Sequence, residues 1–221
     1  MGKAAWLFLV LAATASAQVD EKAVEEAVGR FKKGMANPNA SARASAIAEL
    51  SRTPHDKTFK MLVPYLTSEV KDVRKSAAKG MAQFGDWKKV AIPMLIGALQ
   101  PNKKEPEVQV EIFGALGVLA DPAALPAVHG AFKEDDVRAA RAAIACAGAM
   151  RIRESIDALL DLQKDVQKWL KNKQGGPYRD DKGQQGDENA CKGRLEGVQA
   201  EILKAFKEIT LERWASAAEW E

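Results

Sequence analysis

Along most of this chain small and apolar residues recur at intervals of three and four, the spacing that lines one face of an α-helix. Val73, Ala77 and Met81 form one such set. The same design returns in four segments, Ser41–Leu50, Asp72–Met81, Glu107–Leu116 and Asp136–Ala145. Their third residues, Arg43, Arg74, Gln109 and Arg138, are separated by 31, 35 and 29 positions. A period of about 30 to 35 residues is that of stacked helix pairs, in which each unit buries its apolar face only against its neighbours. Ala46, Ala77, Gly114 and Ala142 on these faces are small enough to let helix backbones approach closely.

Each first helix stops at a breaker: Thr53-Pro54, Gly85-Asp86, Ala120-Asp121-Pro122, and more weakly the run from Met150 to Arg153. A second helix follows every time. Its apolar residues are Phe59, Leu62 and Leu66 in the first unit, and Val90, Leu95 and Leu99 in the second. Leu125, Val128 and Phe132 serve the third, and Ile156, Leu159 and Leu160 the fourth. Pro93 and Pro126 fall early in these helices, where a missing N–H costs least, whereas Pro64 falls late and predicts a kink or a short helix. At the ends, Val24, Val28 and Phe31 define a helix over residues 18–36 with one apolar side, suited to capping the array. Leu195, Val198, Ile202, Leu203 and Phe206 define a second cap. Between the array and that cap, residues 173–190 are rich in glycine and charge with a single aromatic, which predicts a mobile loop unable to bury enough apolar area to order itself.

The Asp72, Val73, Arg74, Ala77, Ala78 pattern, its echo at Asp135, Val137, Arg138 and Ala142, and the proline of the second helices resemble HEAT repeats over roughly residues 37–170. Gln109 departs from the arginine usual there. The resemblance implies an all-α fold, a right-handed α-solenoid of about four stacked helix pairs over 37–172. Residues 191–221 then form the C-terminal cap and a tail. It also implies that Asp72, Arg43, Arg74 and Arg138 serve contacts between neighbouring units. The tail, with Trp214 and Trp220 after a final helix and Thr210, is similar to that of some secreted bacterial HEAT-repeat proteins. Two readings of those tryptophans stand: folded back on the last repeat, or anchors for a partner.

Residues 1–17 combine a basic start with Lys3, an apolar run from Ala4 to Ala13 and an Ala-Ser-Ala end, the form of a signal peptide cleaved after Ala17. The run is too short to span a bilayer, so no stable membrane span is expected after cleavage, and a secreted or periplasmic location follows. The formal net charge of +3 falls to +2 without Lys3, with the signs interspersed, which argues against a nucleic-acid partner. Export gives the two cysteines, Cys146 and Cys191, an oxidising compartment. They either bond to each other across 45 residues or leave Cys146 as a small buried helix residue.

Catalytic chemistry is sparse. His55 and His129 are the only histidines, the first in a solvated turn and the second in a half-buried packing position, and neither has acids or cysteines at metal spacing. Gly29 and Gly34 have P-loop spacing without the lysine and hydroxyl that hold phosphate, and the span from Asp181 lacks the oxygen ligands of a calcium loop. No cofactor or small-molecule substrate is indicated. The leading expectation is a noncatalytic interaction module for a protein or peptide. Lys57, Lys60, Lys88 and Lys89 are candidates for attracting acidic segments, against the alternative that they are merely solvated. HEAT-like chromophore lyases and DNA-base glycosylases supply an enzymatic alternative. A structural subunit docked into an envelope assembly through its tail is the third.

Overall fold

The computed structural model describes residues 20–210, so the expected signal peptide and both tail tryptophans lie outside the described residues. Ten α-helices follow one another: α1 (Glu21–Met35), α2 (Ala40–Leu50), α3 (Asp56–Leu62), α4 (Lys71–Met81), α5 (Lys88–Leu99), α6 (Pro106–Leu119), α7 (Leu125–Gly130), α8 (Val137–Met150), α9 (Ser155–Lys171) and α10 (Glu188–Thr210). Their starts have local causes. The Asp20, Asn39 and Asp136 side chains accept from the backbone N–H groups that open α1, α2 and α8. The His55 ring caps α3 through Nδ1, which accepts from the Lys57 N–H at 3.2 Å. Pro64 ends the α-helix at Leu62 and passes the chain into a 3₁₀ turn over Val63–Thr67, the shortening its position predicts.

The helices form an all-α solenoid of two rows. α2, α4, α6 and α8 stack face to face as first helices, with α1 packed on α2 and α10 packed on α8 as though it opened a fifth unit. The partners α3, α5, α7 and α9 make the second row. One continuous apolar core runs from Val24 in α1 to Ile209 in α10, including Leu50, Met81, Leu116 and Ile144 from the first helices. Burial of that face supplies most of the stabilisation, at about 25 cal/mol per Å² of apolar surface removed from water.

Close approach in the first row is set by glycines other than the expected one. A Cβ on Gly148 of α8 would stand 2.8 Å from the Ala205 Cα of α10, and one on Gly80 of α4 would stand 2.8 Å from the Ser51 Cβ after α2. Gly114 instead faces open space with nothing within 4 Å. The period alone does not settle which side of a helix a glycine takes, and here a shift of three residues, to Gly117, finds the α6–α8 seam. Val90 is likewise displaced from its expected core place and lies 49% exposed on α5.

The glycine- and charge-rich segment needs a larger correction. Its lone aromatic, Tyr178, is fully buried, stacks edge-on against Trp169, and donates its hydroxyl to the Phe132 carbonyl at 3.0 Å. Arg179 continues the attachment by backbone bonds to Asp135 and Val137, an isolated bridge beside the start of α8. One buried aromatic fastens a segment whose mean composition says it should float, because burial energy is carried by single large side chains rather than by averages.

Candidate functional site

The amino ends of the first helices carry a ladder of charge between units. Lys71 reaches Glu107 at 2.6 Å, Glu107 reaches Arg138 at 3.8 Å, and Arg138 holds Asp136 at 2.8 Å. Arg74 meets Glu105 at 3.4 Å and donates to the Ser68 carbonyl at 2.6 Å, tying its own turn to the next unit. The hydrogen bond and charge of Lys71 hold the Glu107 carboxyl below the usual carboxylate range, and Glu107 in turn raises Lys71. Arg74 and Arg138 thus take the inter-unit role that the repeat implies. Asp72 does not: Lys71 and Glu107 hold that junction. The Lys71–Glu107 and Glu107–Arg138 pairs are solvent-accessible, so each contributes only about 0 to 1 kcal/mol, whereas the Arg74 side chain is 13% exposed.

One turn further along the same helices lies a shallow groove of about 270 Å³ crossing α2, α4 and α6. Ser41 and Ala44 give one wall, Asp72, Lys75, Ser76 and Lys79 the floor, and Glu111 the far side. Small residues on α2 open it. Among the described residues Asp72, Lys75, Lys79 and Glu111 form no ion pair, although their neighbours Lys71 and Arg74 are committed. Beyond the groove, α6 presents Val110, 36% exposed, and Val118, 68% exposed. Unpaired charges of both signs beside uncovered apolar side chains suit side chains of another polypeptide.

The four lysines expected to face a partner are mostly occupied. Lys57 pairs with Glu25 of α1, Lys60 with Asp56 at 2.7 Å, and Lys88 with Asp121 at 3.9 Å. Lys89 alone of the four is exposed with no ion pair among the described residues. The pairs form because each lysine stands beside an acid on its own or an adjoining element, proximity that spacing within one helix does not reveal. Gln109, the departure from the repeat pattern, is 3% exposed and so offers a partner no surface.

Both cysteines are free thiols. Cys146 sits in the α6–α8 seam with its Sγ 3.8 Å from the Met150 Sδ, and burial pushes its thiol up to about 12. Cys191 lies in the first turns of α10, where its Sγ donates to the Gln185 carbonyl at 3.1 Å, beside a pocket of about 190 Å³ that Trp169 also lines. Cys146 is 3% exposed, a small side chain inside the helix stack. His129 is half-buried, its Nε2 3.0 Å from the Ser155 hydroxyl, and desolvation lowers its pKa. Ser155 is fully buried, so that pair is packed rather than open to a substrate.

Two residues escaped the sequence reading. Tyr178 was marked only by being the lone aromatic of its segment. Asn102, 1% exposed after α5, donates its amide to the Leu66 carbonyl of the preceding unit at 3.1 Å and to the Ala98 carbonyl at 2.8 Å, and nothing but its place after Pro101 marks it. Among the described residues no three His, Cys, Asp or Glu side chains gather to hold a metal, and no helix is long and apolar enough to cross a membrane.

An all-α solenoid whose polar groove crosses successive units belongs to the helical-repeat class of proteins. The family model for HEAT repeats matches residues 28–104, from α1 through α5 and into the turn before α6. That stretch is similar to HEAT repeats, and α6 to α9 continue the same helix pairing beyond it. No curated protein matches it. HEAT repeats commonly mediate protein–protein interaction, and their helical fold is typically non-catalytic.

Proposed function

We propose that this protein is a noncatalytic binding module that holds a protein or peptide outside the cytoplasm, in the groove crossing α2, α4 and α6. The observation that carries the reading is that Asp72, Lys75, Lys79 and Glu111 form no ion pair among the described residues, beside Lys71 and Arg74, which do. Partner side chains of matching sign would supply the missing pairs, and Val110 a neighbouring apolar contact. The secreted or periplasmic location rests on the form of residues 1–17. Nothing in the reading requires a cofactor, a nucleic acid or a small-molecule substrate.

The test is capture from the envelope fraction by three tagged forms: the unaltered protein, Lys75→Glu/Lys79→Glu, and Lys57→Glu/Lys60→Glu. A partner recovered in stoichiometric amount by the first and third forms but lost by the second supports the groove. A partner retained by the second and lost by the third returns the site to the second-helix lysines and overturns the assignment.

A further inference from the structure

The outer side of the second row faces water, and at both ends of the row it is charged. Lys57 and Lys60 stand on α3, and Asp157, Asp161 and Lys164 on α9, all at exposed positions. Between them α5 is different. Its exposed positions from Val90 to Gly97 are Val90, Pro93, Met94 and Gly97, spaced three and four apart, so one whole stripe of the helix is apolar. Val90 is 49% and Met94 40% exposed, and a Cβ on Gly97 would have nothing within 4 Å. α5 packs against the turn that opens α7, where Pro122, Ala123 and Pro126 are exposed and uncharged as well. A contiguous apolar face of this kind marks a surface that another molecule covers.

The charges at the two ends of the stripe indicate which molecule. Asp86 stands in the turn that opens α5 and Lys104 in the turn that follows it; both are exposed, and neither forms an ion pair among the described residues. Carrying the helical period outward from Val90 places Asp86, Pro101 and Lys104 on the stripe, while Lys89 and Lys103 fall about 100° round from it at the rim. The stripe therefore runs from acid through apolar residues to base. A second copy laid antiparallel matches it end for end. With Met94 of each copy set into the open place at Gly97 of the other, Val90 falls opposite Pro101 and Asp86 beside Lys104, twice over by symmetry. A parallel copy would instead set acid on acid and base on base.

We infer that this protein forms a two-fold dimer through α5, its apolar stripe antiparallel to that of a second copy and closed at each end by Asp86 and Lys104 from opposite copies. The helix is about 18 Å long, and with α7 beside it the face is about 20 Å wide. That is well under the roughly 800 Å² which a tight complex hides on each partner, so the dissociation constant should fall at about 10 to 100 μM. The groove residues belong to the first row, so the dimer stands whether or not the groove holds a partner.

Sedimentation equilibrium of the purified protein from about 1 to about 300 μM tests this directly. The mass should rise from that of one chain toward that of two and stop there. Met94→Lys, on a side chain already in water, should hold the protein at one-chain mass throughout, whereas Val118→Lys on α6 should leave the rise unchanged. Asp86→Lys sets like charges together at both ends and should weaken the dimer about five- to tenfold, two exposed pairs being lost at once. Asp86→Lys/Lys104→Asp exchanges the two ends and should restore it, with circular dichroism confirming the fold of each variant. One-chain mass at every concentration, a mass that climbs past two chains, a Met94→Lys protein that still dimerises, or an exchanged pair that fails to recover what Asp86→Lys lost would each overturn the proposal.

Discussion

Replacing Gly148 and Gly114 by alanine should move stability in opposite directions, although the chemical change is the same. Both lie inside helices of the first row, where alanine in place of glycine favours the helix by about 0.5 to 1 kcal/mol through the entropy of the unfolded chain. At Gly114 nothing stands within 4 Å of the new methyl, so that gain should appear whole. At Gly148 the methyl would lie 2.8 Å from the Ala205 Cα and 3.0 Å from the Glu208 carboxylate, against a comfortable carbon separation of about 3.5 to 4.0 Å. The Ala205 contact is backbone, so no rotamer change relieves it and α10 has to move. Overpacking of this kind costs about 1 to 3 kcal/mol, which exceeds the helix gain and leaves Gly148→Ala destabilised by about 1 to 2 kcal/mol. Urea unfolding followed by circular dichroism measures both, and at this chain length each kcal/mol also shifts Tm by about 2 to 4 °C. A Gly148→Ala protein as stable as the unaltered one would refute the claim that glycine sets the α8–α10 distance.

Tyr178→Phe removes the donor to the buried Phe132 carbonyl and should cost about 1 to 2 kcal/mol in the same assay, while Tyr178→Ala should cost about 3 to 5 kcal/mol and open residues 173–187 to protease. Asn102→Ala leaves the Leu66 carbonyl without its bond across the first two units and should lower stability by about 1 to 3 kcal/mol, read as a drop in urea midpoint. His129 is held neutral by burial, so its contribution is full above about 6.5, where folded and unfolded rings are both uncharged, and is lost as pH falls from there toward the lowered folded value. A His129→Gln protein should show a flatter stability profile over that interval. Thiol titration should find Cys191 reacting promptly and Cys146 only on unfolding; two fast thiols would contradict the buried seam.

What the sequence made legible were the features repetition amplifies. Four registers of apolar residues three and four apart marked the first helices, and breakers such as Thr53-Pro54 and Gly85-Asp86 marked the turns, because every unit buries the same face. Pro64 showed its effect since a missing N–H acts locally. Single contacts made once were not legible. Tyr178 reaches 46 positions back to Phe132 and Asn102 reaches 36 back to Leu66, and no local pattern encodes either. The lysine surface was legible only in part: lysine content on the second helices was visible, but Glu25 and Asp121, which pair with Lys57 and Lys88, lie on other elements. What distinguishes the groove is that its Asp72, Lys75, Lys79 and Glu111 form no ion pair among the described residues, a property of the folded arrangement alone.

The division of labour along the first row explains why that face suits a partner. Successive first helices need small residues to stack closely, and a helix narrow on its buried side has little bulk to spare at the edges of its exposed side. The outer surface is consequently shallow, with Ala44 on α2, Gly114 on α6 and Ala149 on α8 leaving room where longer side chains would stand. Charge at the amino ends, where Lys71, Glu107 and Arg138 meet, fixes one unit against the next, and a turn later Lys75 and Lys79 form no ion pair among the described residues. Exchanging the two sets separates the functions. Glu107→Gln should weaken the junction slightly and increasingly as salt is lowered, without altering the groove, because the ladder is exposed and screened. Lys75→Glu/Lys79→Glu should leave the unfolding free energy from urea titration within about 0.5 kcal/mol of the unaltered protein while abolishing capture, since solvated side chains away from the core contribute little to folding. Loss of stability in the second protein comparable to that of Gly148→Ala would mean the groove is part of the stack, and the separation argued here would fail.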